Sequence, residues 1–96
     1  MPVALNTSST NAQIVQLQRQ SATASHIAKL LSEYKARLTE SWSGVETDYF
    51  CGVIEAQIRE CENLAEESNR LCQDIVRAME EILTKETAIA ATSDPT

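Results

Sequence analysis

From Ile14 onward, apolar and small residues recur alternately three and four positions apart: Ile14, Leu17, Ser21, Ala24, Ala28 or Ile27, Leu31, Tyr34 or Lys35, and Leu38. Successive residues of an α-helix turn about 100° around its axis, so this alternation collects the set on one helical face. The face is large at its ends and small at Ser21, Ala24 and Ala28. Two explanations stay open there: a partner backbone comes close, or the stretch is weak helix. The rhythm stops after Leu38 and resumes beyond Gly44 with Phe50, Ile54, Cys61, Leu64, Ser68, Leu71, Ile75, Ala78 and Ile82. A second row, Ile58, Ala65, Cys72 and Met79, runs beside it. Together they occupy about three positions in seven, wider than a two-stranded seam and suited to a bundle. Opposite lie Glu55, Arg59, Glu66, Arg70, Arg77, Glu81 and Lys85. The pairs Glu55–Arg59, Glu66–Arg70 and Glu81–Lys85 stand in the favourable order at four-residue spacing, each worth roughly 0.2–0.5 kcal/mol on a solvated face.

These patterns predict an all-α chain: an antiparallel helical hairpin with helices over about 10–40 and 45–87, a turn over about 41–45, and flexible ends at 1–9 and 88–96. The first helix is expected to be capped between Ser8 and Asn11. At about 1.5 Å per residue the helices measure roughly 45 and 63 Å, so the second overhangs the first and leaves Ile82 and Leu83 partly uncovered. The turn holds the only tryptophan, Trp42, and Gly44, one of two glycines. Lys35 and Arg37 suit the C-terminal end of the first helix dipole. Ser43 with Glu46 has the spacing of a capping box, and Glu46 and Asp48 suit the start of the second. Gly44 supplies either positive φ or a close approach of backbone. Trp42 has two roles open to it, packing over the hairpin's end or standing out as an anchor for another protein.

Composition narrows the function classes. The 96 residues allow one small domain, and two helices alone cannot cover each other's apolar stripes, so a partner chain is expected. The residues marked for that dimer or partner contact are Ile14, Leu17, Ser21, Ala24, Ala28 and Leu31 on the first helix, and Ile54, Ile58, Cys61, Leu64, Leu71 and Ile75 on the second. Fourteen acidic residues against eight basic ones give a formal charge of −6, which argues against nucleic acid and against an anionic membrane surface. No stretch approaches the roughly 18 apolar residues of a membrane span, and Arg19 is the first basic residue, too late for a cleaved secretory signal. Cys51, Cys61 and Cys72 lie in one predicted helix. Cys61 and Cys72 would sit roughly 16 Å apart along it, too far to bond, so all three read as small buried hydrophobes. His26 stands alone, without partners for acid–base or metal chemistry, and no phosphate-binding loop or Cys-x-x-Cys is present. The carboxylates lie on a solvated face. A non-enzymatic protein without cofactor or metal is expected.

Trp42-Ser43-Gly44 near the midpoint of a chain this short, between two amphipathic helices and with Phe50 eight residues after the tryptophan, resembles the WXG family of small ESAT-like type VII secretion substrates. The resemblance covers roughly residues 10–87. Trp-x-Gly alone is a weak motif; position, length, helix pattern and the aromatic carry it together. It implies a helical hairpin that dimerises into an antiparallel four-helix bundle. Such proteins are made in the cytoplasm and exported, without a cleaved signal peptide, by a membrane-embedded machine driven by an ATPase. Trp42, Ser43 and Gly44 would form the turn and part of a composite export signal, with Phe50 packed beneath it.

One departure bears on the role. Many family dimers carry a C-terminal Tyr-x-x-x-Asp/Glu element on at least one subunit, and this chain has no tyrosine after Tyr49. A looser version is present as Ile82-x-x-x-Glu86-x-x-Ile89, with Ser93 at the next expected apolar position. The resemblance therefore implies either a secreted homodimer or an escort that pairs with a second WXG-like chain or with the helical N-terminal domain of a larger toxin.

Overall fold

A computed structural model describes residues 7–92 and contains two α-helices, α1 (Thr7–Ser41) and α2 (Val45–Thr92), joined at a single corner. They run antiparallel, side by side, in a rod of 80 × 17 × 14 Å. No strand occurs among the described residues.

The helices persist because nothing inside them breaks them. Between Thr7 and Ser43 there is neither glycine nor proline, and α2 contains only Gly52. The Ser/Thr/Asn run at 7–11, expected to hold the cap, is itself helical, since these residues are neutral rather than disruptive in a helix. Likewise the alanine-rich stretch after residue 87 continues α2 to Thr92, past the expected end, because alanine is the strongest helix former. Of the segments expected to be flexible, 1–6 and 93–96 lie outside the described residues.

The seam follows a strict alternation of three and four residues on both helices. On α1 it is formed by Ile14, Leu17, Ser21, Ala24, Ala28, Leu31, Lys35 and Leu38, each buried or partly covered. On α2 the covered row runs Thr47, Cys51, Ile54, Ile58, Cys61, Ala65, Ser68, Cys72, Ile75 and Met79. Every buried residue belongs to one of these rows. This alters the expected face of α2: Ile54, Cys61, Ser68 and Ile75 face α1 as expected, joined by the row read as flanking. Phe50, Leu64, Leu71 and Ala78 stay outside. One neighbouring helix covers a stripe of about two positions in seven, so a three-position face leaves one column uncovered.

The small middle of α1 is used for close approach. Ala24 and Ala28 are buried, and the Ser21 hydroxyl donates to the Ala65 carbonyl at 2.9 Å, so the α2 backbone itself comes within hydrogen-bonding reach. That bond sets the register. Continued outward from Ser21 and Ala65, it brings Thr7 opposite Met79 and leaves 80–92 of α2, about 20 Å of helix, with no described α1 residue beside it. Among the described residues no side chain is fully buried.

Candidate protein-interaction surface

The corner is built from its backbone outward. The Trp42 amide donates to the Leu38 carbonyl at 2.9 Å, the last bond of α1. Two residues later Gly44 adopts φ +119°, a region essentially closed to residues with a Cβ, and its carbonyl accepts from the Asp48 amide at 3.0 Å. Gly44 is therefore the N-cap of α2, and the cap expected at Ser43 lies one residue further on. Ser43 forms no side-chain hydrogen bond. A Cβ built on Gly44 would meet nothing within 4 Å, so positive φ, and not a close approach, calls for glycine here. Glu46 and Asp48 occupy the first turn of α2, where negative charge opposes the helix dipole.

All four aromatic residues, Tyr34, Trp42, Tyr49 and Phe50, fall within seventeen positions around this corner, and each is largely or half exposed. Trp42 is 66% exposed and does not cap the hairpin's end as a buried plug. It lines an open hollow of about 680 Å³ with Tyr34, Leu38, Val45 and Phe50. Phe50 is partly sheltered in that hollow.

Below the corner the two broad faces of the rod differ. On one, the columns flanking the seam are Gln18, Ser25 and Ser32 of α1 and Glu55, Glu62, Asn69 and Val76 of α2, polar except for Val76 at the end far from the corner. On the other they are Gln20, Ile27 and Tyr34 of α1 and Phe50, Gln57, Leu64 and Leu71 of α2, the five apolar members each between 42% and 50% exposed and Gln57 interrupting the α2 column. Ile27 and Leu64 line one shallow hollow, as Tyr34 and Phe50 line the corner hollow, which places both sets on the same side. An apolar stripe thus runs from the corner down one face.

Most of the residues marked in advance for partner contact serve first within the chain. Ile14, Ala24, Ala28 and Ile54 are buried between α1 and α2, and Leu17, Ser21, Leu31, Ile58, Cys61 and Ile75 are partly covered there. Leu64 and Leu71 alone among the twelve stand on the open stripe. The other members of the stripe were overlooked for partner contact, Ile27 because Ala28 shares its turn of the α1 row. Ile82, Glu86 and Ile89 continue the α2 seam along the overhang, with Ile82 and Ile89 exposed and Glu86 partly covered. Cys51 and Cys72 are buried and Cys61 is partly covered, all three as free thiols. His26 is exposed.

One feature carried no clear signal. Lys35 occupies a seam position of α1, and its ammonium donates to the Glu55 carboxylate across the hairpin. The hydrogen bond and the charge of Lys35, with a smaller contribution from Arg59, hold the Glu55 carboxyl below its ordinary value. Glu55 thus pairs with the other helix, and Arg59, the partner expected at four-residue spacing, stays beyond ion-pair distance. Arg77 reaches Asp74 at 3.8 Å, an exposed pair of small worth.

No helix among the described residues is long and apolar enough to cross a membrane. Compared with family models, with curated proteins and with solved structures, the chain finds no match.

Proposed function

We propose that this chain is a non-enzymatic, WXG-type helical hairpin that is exported by a type VII secretion machine and works by pairing with protein. The observation that supports this reading is the corner. Trp42-Ser43-Gly44 stands at the apex of a two-helix hairpin, its glycine is required by φ +119°, and its tryptophan, 66% exposed, lines an open hollow with Tyr34 and Phe50. An indole needed only for packing would be covered. One held two-thirds exposed beside an open hollow presents a large apolar surface to a partner, the kind of residue that dominates protein interfaces.

The machine's ATPase is the proposed reader of the corner and carries the chain out of the cell without a cleaved signal peptide. One form of this reading is an escort, in which a second exported chain supplies part of the export signal and loss of this protein traps that chain inside. The alternative within the same reading is a secreted homodimer that acts outside as an effector or structural protein. The decisive experiment compares culture supernatants of a wild-type strain and one lacking the type VII ATPase. The protein should be absent from the second; unchanged export there would sink the proposal.

A further inference from the structure

The apolar stripe has an electrostatic border, and that border speaks to what covers it. Just outside the stripe on α2, further around the helix from Phe50, Leu64 and Leu71, stand Glu60, Glu67, Asp74 and Glu81, seven residues apart and all exposed. Of these four, only Asp74 lies within ion-pair distance of a cation, Arg77 at 3.8 Å. The border on the α1 side is Gln16, Thr23, Leu30 and Arg37. Charge is segregated between the helices as a whole: α1 carries four cations against two carboxylates, α2 four cations against eleven.

We infer that the stripe seats a helix of a different protein, one whose apolar face is bordered by a column of Lys or Arg at seven-residue spacing that meets Glu60, Glu67, Asp74 and Glu81. This rests on the reading of the chain as the partner half of a complex, and it names the chemistry of the other half. A second copy fits the border poorly. Stacked with α2 on α2, two copies line one rim with both acidic columns. Stacked with α2 on α1, the column of four carboxylates meets an α1 side that offers two cations, Arg19 beside the Ile27–Leu64 hollow and Arg37 near the corner, in an assembly carrying twice the −6 of one chain. A basic partner helix neutralises the column, orients itself by it, and covers Leu64, Leu71 and Ile27.

The test uses the full chain and two designed helices of about four heptads, identical in apolar face and differing in a bordering column of lysines or of glutamates. Sedimentation equilibrium of the chain alone over a roughly hundredfold concentration range should show a monomer. The lysine helix should bind, more weakly as salt rises, and the glutamate helix at least about tenfold more weakly. Neutralising the column by Glu60→Gln, Glu67→Gln, Asp74→Asn and Glu81→Gln together should weaken binding of the lysine helix by about tenfold, with helicity and melting of the chain retained. Leu71→Asp, on the exposed stripe, should abolish it. A stable homodimer of the chain alone, equal binding of the two helices, or binding of neither overturns the inference. A homodimer whose export still needs the ATPase would remove this inference and leave the export reading intact. ATPase-independent export would remove the latter without touching the binding result.

Discussion

Two glycines in one small helical chain do opposite things. Gly44 sits at φ +119° with open space around it, so a methyl group there costs backbone strain without any clash. Gly44→Ala should lower stability by about 1–3 kcal/mol. Gly52 lies in the interior of α2, exposed, and a Cβ there also meets nothing. Its only effect is the added freedom of the unfolded chain, so Gly52→Ala should raise stability by about 0.5–1 kcal/mol. Denaturant unfolding of both variants checks the contrast; equal and opposite signs to these would show that the corner is not held by positive φ. Lys35 and Glu55 act at the same scale. The folded Glu55 carboxyl lies below its ordinary value of 4.5, so the pair stabilises the hairpin above that pH and the contribution is lost as pH falls through the lowered value. Glu55→Gln should therefore leave a flatter acid limb in a plot of stability against pH, while stability at neutral pH drops only slightly. An unchanged acid limb would mean that Lys35 does not hold this carboxylate in solution.

At the scale of the helices, two residues of similar size on α2 have different neighbours. Ile54 is 5% exposed in the seam, whereas Leu71 is half exposed on the open stripe. Ile54→Ala should cost about 2–5 kcal/mol, and Leu71→Ala should stay within about 0.5 kcal/mol for the isolated chain. Thermal melts at several protein concentrations read both. A larger cost at Leu71 that grows with concentration would mean that a second copy covers the stripe. The seam itself is thin: Ser21 and Ala24 face Ala65 and Cys61, and Ala28 faces Ile58, which brings the helices close while burying little apolar area. This explains why a chain with helices of such length has no fully buried side chain.

For the molecule as a whole, the corner and the stripe are separable surfaces. Trp42 contributes little to the seam, so Trp42→Ala should leave the hairpin folded, with stability changed by less than about 1 kcal/mol, and should still stop export if the machine reads the corner. Circular dichroism of the purified variant together with its level in culture supernatant makes the distinction. A large loss of helicity would instead make Trp42 a packing residue. The overhang of α2 past residue 79 is a third exposed region, where Ile82 and Ile89, 42% and 63% exposed, continue the seam row.

Much of this molecule was legible before any coordinates. The spacing of apolar residues gave two helices and their faces, because periodicity and the placement of Gly44 are local properties of the chain. Overhang of α2 followed from helix lengths, and the burial of Cys72 from its place in the pattern, whereas at the head of α2 the buried residue is Cys51 and not the expected Phe50. What the pattern left open was which two of the three apolar columns of α2 meet α1, since each column taken alone has the same seven-residue repeat. Packing decided it: the small waist at Ser21, Ala24 and Ala28 accepts the row through Ala65 and Ser68 and leaves Leu64 and Leu71 outside. The Lys35–Glu55 bridge, twenty residues apart in sequence, exists only once the chain has turned at Gly44 and brought the two helices together. The apolar stripe and its acidic border likewise arise from columns on two helices. A single helix carries each column, but only their register and mutual rotation place Ile27 beside Leu64 and Tyr34 beside Phe50 on one face.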